Sequence, residues 1–333
     1  MKICSHCVLN ERFPGIKFNR DGICNYCSSA KKKKQPRMGW NKYQEKFMQL
    51  ISQYKAKGCY DCLVAYSGGK DSTYTLHLLK DKYDLNLLTF SFDNGFQSDG
   101  ARRNIRNALN NFKVDHWTIT PNFEVMKKIF LDAVDTGVHM NKALTRASSI
   151  CSICITLIRF VGFRLAVDLE IPLVAFGMSP GQASLATGLV KTNARLIRTM
   201  QESVFLPLWN RLGDCAKSFF LEERHFRKTE KFPYSVNPLV FTEYKEEKIL
   251  KIARQYGWEK PDDTDANSTN CLLNSFANQV HIERFGFNPY AYEIAELVRL
   301  GCMTREEGLR RLNTDLPQEQ IDSAKRKLGL ETS

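Results

Sequence analysis

A six-residue stretch between an apolar run and a helical pattern has the composition of a phosphate-binding loop: Ser67, Gly68, Gly69, Lys70, Asp71 and Ser72. The apolar run at 62–66 predicts a buried strand that ends at the loop. Paired glycines let backbone N–H groups approach an anion, and the start of a helix adds partial positive charge. The lysine adds a full charge, and the two serines add hydroxyl donors. The spacing is not that of the Walker loop, which needs four residues between its first glycine and its Gly-Lys pair.

This stretch resembles the PP-loop of the ATP pyrophosphatase superfamily, the N-type or adenine nucleotide alpha hydrolase-like proteins. Members cleave ATP between the α- and β-phosphates and use the AMP half to turn a substrate oxygen into a leaving group. The resemblance implies that residues 67–72 bind the pyrophosphate part of ATP, with Asp71 near Mg²⁺ and Lys70 offsetting phosphate charge. Both residues are therefore expected to be catalytic. The resemblance also implies an α/β fold with a parallel-sheet, Rossmann-like domain of the HUP type.

Two Cys-x-x-Cys pairs near the N-terminus predict a zinc ribbon whose ligands are Cys4, Cys7, Cys24 and Cys27. Sixteen residues separate the pairs, close to the roughly 15–20 residues of zinc ribbons. Four thiolates at tetrahedral reach form a closed structural Zn²⁺ site, and so short a segment depends on the metal for most of its stability. We expect His6, inside the first pair, to be a bystander.

A third Cys-x-x-Cys pair, Cys151 and Cys154, precedes a helical repeat and a strand that ends at Gly177. This order resembles the tRNA thiolases that make 2-thiocytidine and 2-thiouridine, in which a PP-loop is joined to a cluster held by Cys-x-x-Cys and one distant cysteine. The resemblance implies that Cys271 is the distant ligand, that the three thiolates hold a 4Fe–4S cluster with one open iron, and that Cys151 and Cys154 are catalytic. From the residues alone, half of a second zinc site and buried cysteines acting as small hydrophobes both stay open.

Further strands are predicted at 85–92, 114–119 and 171–177. The alternation of strands with helices predicts a parallel sheet with right-handed crossovers, in which ligands bind at the carboxyl ends of the strands. Asp93 and Gly177 follow or end two of these strands, so we expect both in the ATP site. The superfamily resemblance also implies that residues 90–94 lie near the nucleotide.

The sequence divides into four predicted regions: the ribbon at 1–30, a linker and helix at 31–58, the PP-loop domain at 59–235 and a helical region at 236–333. The lysine run at 31–34, with Pro36 and Gly39, predicts a linker before an amphipathic helix at 40–54. The basic segment 191–198 is compatible with a site that binds a phosphate or a polynucleotide, and equally with a solvated loop. Thr304 and Glu307 have the spacing of a capping box.

The composition of the 333 residues limits the partners. A net charge of +12 and a pI of about 9.1 suit an anionic partner such as tRNA, a nucleotide-sugar or ATP. No apolar run approaches the roughly 20 residues of a membrane span, so we expect a cytoplasmic protein without a membrane partner. Eleven cysteines in such a protein argue for metal binding or catalysis rather than disulfides.

Both ends of the sequence also resemble the N-acetyl sugar amidotransferase family of lipopolysaccharide and nonulosonic-acid biosynthesis. The similarity covers the ribbon from Cys4 to Cys27, with its segments 14–18 and 21–22, and the segments 60–72, 92–95, 288–290 and 300–307. That family activates a sugar N-acetyl oxygen through a PP-loop and uses ammonia from a separate glutaminase subunit. Its chemistry does not need the third group of cysteines, which is where this sequence departs from it.

We therefore expect an ATP-dependent adenylating transferase. It would adenylate a carbonyl or amide oxygen of a small molecule, nucleotide-sugar or tRNA, release pyrophosphate and then AMP, and put sulfur from a donor in the oxygen's place at the cysteine centre. Amidotransfer with ammonia from a glutaminase subunit is the alternative.

Overall fold

A six-stranded sheet forms the centre of the computed structural model, which describes residues 1–32, 36–136, 144–265 and 267–331. Its strands are β1 Cys62–Ala65, β2 Leu87–Phe92, β3 Asp115–Ile119, β4 Leu173–Phe176, β5 Leu189–Lys191 and β6 Tyr234–Val236. They lie in the order β3-β2-β1-β4-β6-β5, and every pair is parallel except β5 with β6. The predicted α/β fold with a parallel, Rossmann-like sheet is confirmed. Because successive strands are added outward on both sides of β1 and β4, a crevice is expected where the carboxyl ends of these two strands meet.

The α-helices of the described residues surround this sheet and form the C-terminal part of the protein. In chain order they are α1 Asn25–Lys32, α2 Pro36–Tyr54, α3 Lys70–His77, α4 Asp99–Phe112, α5 Phe123–Thr136, α6 Ser149–Asp168, α7 Ala194–Leu212, α8 Glu223–Phe226, α9 Glu246–Gln255, α10 Asn274–Phe285, α11 Ala291–Arg299, α12 Arg305–Leu312 and α13 Gln318–Leu328. The helical C-terminal region predicted from the sequence is therefore present.

The inner strands β1, β2 and β4 are buried on both faces, which explains why they are largely apolar runs. Alternate residues of β1 point to opposite sides. Leu63 packs in the same cluster as Phe160 of α6, whereas Val64 packs in the cluster that contains Phe47 of α2. The core therefore has two layers, one on each side of the sheet.

The central helix α6 is long and apolar enough to cross a membrane by length and composition. The expectation that no such run exists is therefore wrong for residues 149–168. In the structure this helix is a core element: Leu157 and Phe160 are buried, and Gly162 lies against Phe90 of β2 and Val174 of β4. Packing on the sheet accounts for its apolar composition.

The N-terminal ribbon packs against the C-terminal helices. Phe13 makes an edge contact with Phe287. Arg305, at the start of α12, donates hydrogen bonds to the backbone oxygens of Cys4 and Cys7 at 2.9–3.2 Å. The two ends of the chain therefore form one packed unit.

Three local predictions are corrected. Pro36 and Gly39 belong to α2 rather than to a linker, because proline fits the first position of a helix, where no N–H partner is needed. Lysines 33 and 34 of the basic run lie outside the described residues. The segment 191–198 is not a loop, since it runs from the edge strand β5 into α7. Thr304 caps α12 by accepting from the N–H of Glu307 at 3.2 Å, but the Glu307 carboxylate pairs with arginines of its own helix.

Candidate active site

The PP-loop joins the end of β1 to the start of α3. Gly68 has a φ of +75°, and a Cβ there would lie 2.6 Å from the carbonyl oxygen of Ala101, so only glycine fits. Ser67 Oγ lies 3.2 Å from Ser72 Oγ. Gly69 is the N-cap of α3, and no side chain caps this helix. The first backbone N–H groups of α3 are thus available to an anion at the carboxyl edge of the sheet.

Lys70 and Asp71 are held in place by two residues of the C-terminal region. Lys70 Nζ lies 2.9 Å from Asp71 Oδ2 and 3.5 Å from Glu246 Oε1, and it donates to Tyr244 Oη at 3.2 Å. The Tyr244 hydroxyl donates in turn to Asp71 Oδ1 at 3.0 Å. Burial lowers the pKa of Lys70, but Asp71 and Glu246 outweigh it and the net pKa is raised. The lysine is therefore fully charged at neutral pH and is paired with the Asp71 carboxylate.

Gly177 and Asp93 have different surroundings. A Cβ at Gly177 would lie 2.9 Å from the backbone nitrogen of Ser72, so the end of β4 packs directly on the first turn of α3. Asp93 follows β2, where its carboxylate accepts from the N–H of Gly95 at 3.0 Å and pairs with Arg102 at 3.2 Å. Gly177 thus borders the PP-loop, whereas the carboxylate of Asp93 orders the β2–α4 connection.

Cys151, Cys154 and Cys271 come together at the same edge of the sheet. The first two lie in the first two turns of α6, and Cys271 forms an isolated bridge with Gln97 after β2. Asn94 links two of the thiols, because its Nδ2 donates to Cys154 Sγ at 3.4 Å and also reaches Cys271. Burial raises the pKa of Cys151 and of Cys154 to about 12, and the charge of Cys271 adds to both shifts.

Polar groups surround the other side of these thiols. Cys151 Sγ lies 3.8 Å from Asn274 Oδ1, which also accepts from the Tyr290 hydroxyl at 2.9 Å. Asn274 donates to Asp265, a buried carboxylate whose other hydrogen-bond donors are neutral N–H and O–H groups. Within the described residues Asp265 forms no salt bridge. Three thiols and a buried carboxylate without an ion-pair partner among the described residues therefore share one neighbourhood.

The start of α11 joins the thiol group to the PP-loop. Tyr290 immediately precedes this helix, and Glu293 lies one turn further on. Ser179, in the loop after β4, donates to Glu293 Oε1 at 3.0 Å. Burial raises the pKa of Glu293 to about 7, and the negative charge of Asp71 adds to the shift. Glu293 also acts on the pKa of both Lys70 and Tyr290, which places it between the two groups.

The four ribbon cysteines have the spacing of a single tetrahedral ion. Cys4 Sγ and Cys27 Sγ are 3.9 Å apart, Cys7 Sγ and Cys24 Sγ are 3.8 Å apart, and all four sulfur atoms lie within 4.8 Å of one another. Zn–S bonds of about 2.3 Å at tetrahedral angles put sulfur atoms about 3.8 Å apart. The residues therefore fit a closed Zn²⁺ site, as the sequence predicts.

The other three cysteines are arranged differently. In the described part of the chain, the ribbon supplies the one group of three or more ligands whose atoms all lie within 4.8 Å. Thiolates of a cluster bind different iron atoms, so they stand farther apart than the ligands of one ion. The wider spacing, the soft donors and the N–H groups aimed at sulfur fit an iron–sulfur cluster better than a second zinc site.

Several residues of this site were not found from the sequence. Asp265, Tyr290, Tyr244, Glu246 and Glu293 come from the C-terminal region, where no motif marks them. The resemblance at 288–290 included Tyr290 but gave it no role. The expectation that residues 90–94 lie near the nucleotide stays a prediction. Phe90 is buried in the core, and Asn94 contacts the cysteines.

Comparisons with known proteins were made for the whole chain. No known protein family profile matches it. An uncharacterized protein of Methanocaldococcus jannaschii is 26% identical over 330 residues, which cover 98% of this chain and 99% of that protein.

Three solved structures are similar to this chain at low TM-scores. A U34-tRNA thiolase from Methanococcus maripaludis with its 4Fe–4S cluster has a TM-score of 0.37 and 16% identity, and the match covers 100% of this chain and 99% of that one. NMN synthetase from Francisella tularensis has a TM-score of 0.38 and 13% identity over 90% and 98% of the two chains. A predicted tRNA methyltransferase subunit from M. jannaschii has a TM-score of 0.34 and 15% identity over 70% and 91%. At these TM-scores the likeness carries no functional argument, and the function must be argued from the chain's own site.

Proposed function

We propose that this protein is an ATP-dependent enzyme that adenylates a carbonyl or amide oxygen of its substrate and replaces that oxygen by sulfur. The observation that carries the proposal is the placement of Cys151, Cys154 and Cys271 at the same carboxyl edge as the PP-loop. Tyr290 and Glu293 connect the two groups. One bound substrate could therefore reach both centres.

In the first step the substrate oxygen attacks the α-phosphorus of ATP, and pyrophosphate leaves. The N–H groups at the start of α3 and the Lys70 ammonium stabilise the charge that develops on the leaving pyrophosphate. Asp71 would hold Mg²⁺, which would offset the negative charge of the phosphates. Tyr244 hydrogen-bonds to both Lys70 and Asp71 and so holds their side chains in place for this step.

In the second step hydrosulfide adds to the activated carbon, the C–O bond breaks, and the oxygen leaves with AMP. A cluster held by the three cysteines would supply an open iron as the place where sulfide is delivered. Hydrosulfide must lose its proton, and we assign its acceptance to Glu293, because this residue lies one turn after Tyr290 and burial raises its pKa to about 7. Sulfide replaces oxygen without net oxidation or reduction.

The proposed function is tested by measuring the metal and sulfide content of the purified protein. Protein purified without oxygen should contain about one zinc per chain from the ribbon and about four iron and four acid-labile sulfide from the second site. Cys271→Ala should remove the iron and leave the zinc. Product formation is then followed with ATP and sulfide, and thiolated product should accompany AMP and pyrophosphate.

Amidotransfer to an N-acetyl sugar uses the same adenylation and is the second candidate, favoured by the resemblance at 288–290 and 300–307. It has no need of iron. Protein that contains zinc alone, and that forms product with ammonia but not with sulfide, would replace the first proposal by this one.

A further inference from the structure

A cation on α6 has no role in the chemistry described so far. The side chain of Arg159 is half-buried, its Nη2 donates to Met178 Sδ at 3.1 Å, and its guanidinium lies 5.8 Å from the ring of Phe176. A thioether is a weak acceptor, and a guanidinium has five N–H donors to satisfy. Within the described part of the chain no carboxylate pairs with Arg159.

The position of this side chain follows from the helix periodicity. Ile155, Arg159 and Gly162 are spaced i, i+4 and i+7, so they lie on one face of α6. Gly162 lies against Phe90 and Val174, so this face is directed at the sheet. Because α6 runs back from the carboxyl edge, Arg159 lies one turn nearer that edge than Gly162. Ile155, one turn further on, is 36% exposed.

The contacts of Arg159 confirm that it lies at the end of β4. Phe176 is the last residue of that strand, and Met178 follows two residues later. Gly177, between them, packs on the first turn of α3. The guanidinium therefore belongs to the crevice that the PP-loop borders, on the helix that carries Cys151 and Cys154.

The two crevice cations differ in how they are balanced. Lys70 has Asp71 and Glu246 as partners. Burial lowers the pKa of Arg159, and no neighbouring charge offsets the effect. A partly desolvated cation without a counter-ion is destabilising unless a ligand supplies the charge. Its planar fork matches the oxygens of a phosphate group.

We propose that Arg159 binds a phosphate group of the acceptor substrate. The inference rests on the proposed function and narrows it, because it requires a phosphorylated acceptor, either a small phosphate ester or a nucleic-acid backbone. The pyrophosphate of ATP has the PP-loop and Lys70. Arg159 is on the opposite wall, where an acceptor must lie to reach the cysteines.

The experiment uses the whole protein saturated with a non-hydrolysable α,β-methylene ATP analogue, and inorganic phosphate is the probe in calorimetry. Arg159→Gln should weaken phosphate binding by about 10- to 100-fold, the range for losing a charge-assisted hydrogen-bond pair. Arg159→Lys should weaken it less. Arg164→Gln is the matched control on the same helix, because Arg164 already pairs with Glu222, and it should bind phosphate as the wild type does.

The possible results distinguish failure of the Arg159 assignment from failure of the proposed function. Equal phosphate affinity in the wild type and Arg159→Gln overturns the role of Arg159, as does the absence of phosphate binding to the analogue-loaded wild type. Failure of the analogue to bind the wild type at all overturns the proposed function and this inference with it. Competition with tRNA and with a nucleotide-sugar distinguishes the two sources of phosphate, and failure of both to displace the probe overturns the assignment to the acceptor.

Discussion

The two cysteine groups of this protein begin from the same short motif and have different geometry. In the ribbon, four buried sulfur atoms lie within 4.8 Å of one another. At the carboxyl edge of the sheet, three sulfur atoms stand farther apart among an asparagine, an aspartate and a tyrosine. The first arrangement is closed around one point, and the second is open toward a crevice.

Backbone conformation explains the difference. In the ribbon turn, the N–H groups of His6 and Cys7 both point at Cys4 Sγ at 3.4 Å, so the chain wraps one sulfur. Cys151 and Cys154 belong to a helix, whose backbone N–H groups are used within the helix or, for Cys151, by the Ser148 cap at 3.1 Å. Cys151 and Cys154 therefore present two thiols side by side on one helix, without a turn that wraps one sulfur. The same motif thus gives different ligand arrangements in different backbone settings.

The largest expected contrast is between Cys24→Ala and Cys271→Ala. Cys24→Ala should abolish zinc binding and cost on the order of 5 kcal/mol or more of unfolding free energy, because metal binding and ribbon folding are one event. Cys271→Ala should cost no more than about 2 kcal/mol and keep the zinc. Zinc analysis and urea unfolding measure both. Cys59→Ala, at an exposed thiol, is the control, and equal destabilisation by the two test variants would contradict the comparison.

Asp71→Asn should separate the chemistry from both cysteine groups. Removing the carboxylate that positions Mg²⁺ should slow pyrophosphate release about 10³-fold, or about 4 kcal/mol in the barrier. Zinc and iron contents should not change, because Asp71 contacts Lys70 and Tyr244 and no cysteine. Asp99→Asn, at an exposed carboxylate in α4, serves as the control. Loss of iron from Asp71→Asn would mean that the two centres are not independent.

Glu293→Gln should change how stability depends on pH. Burial raises the pKa of Glu293 from 4.5 to about 7, so the folded state favours the protonated form. Stability is then lost as the pH rises from 4.5 to 7 and stays reduced above that, by about 3 kcal/mol in all. Glutamine cannot ionise, so the variant should gain about that amount relative to the wild type between pH 4.5 and pH 8. Urea unfolding at both values measures it. Glu306→Gln, at an exposed carboxylate, is the control. A stability difference between Glu293→Gln and the wild type that does not change with pH would refute the pKa shift of Glu293.

Arg305→Gln should have the smallest effect and should act on the ribbon alone. Arg305 donates to the backbone oxygens of Cys4 and Cys7, and leaving both unsatisfied should cost about 2 kcal/mol. Zinc should still bind but should be lost faster to a chelator. Arg310→Gln on the same helix removes an exposed pair with Glu307 and should cost less than about 1 kcal/mol. Both variants should keep their iron, and loss of iron from Arg305→Gln would contradict an effect confined to the ribbon.

The structural elements that can be predicted from the sequence are those specified by short, local sequence patterns. The strand–loop–helix unit at 62–77 and the ribbon ligands at 4–27 each lie within one short stretch of sequence and follow simple steric and spacing rules. The strands β5 and β6 are only three residues long. They are too short to show a hydrophobic periodicity in the sequence. The parallel sheet could still be predicted, because its inner strands are apolar runs between helical segments.

The site residues that were missed are brought in by tertiary packing. Tyr244 and Glu246 are separated from Lys70 by more than 170 residues of sequence. Nothing in their neighbours distinguishes them from surface residues of an amphipathic helix. Arg159 is even harder to predict as a site residue from the sequence. Its distinguishing feature is the lack of a counter-ion, which only the folded structure reveals.

The helix α11 has two different faces, and this couples the ends of the protein. Ala291, Ile294 and Ala295 pack in the ribbon cluster, whereas Tyr290 and Glu293 reach the thiols and the PP-loop. A metal bound in the ribbon and a ligand bound in the crevice would therefore contact the same helix. We expect each to tighten the binding of the other by an equal factor if both hold this helix in one position, and zinc retention with and without a crevice ligand measures that coupling.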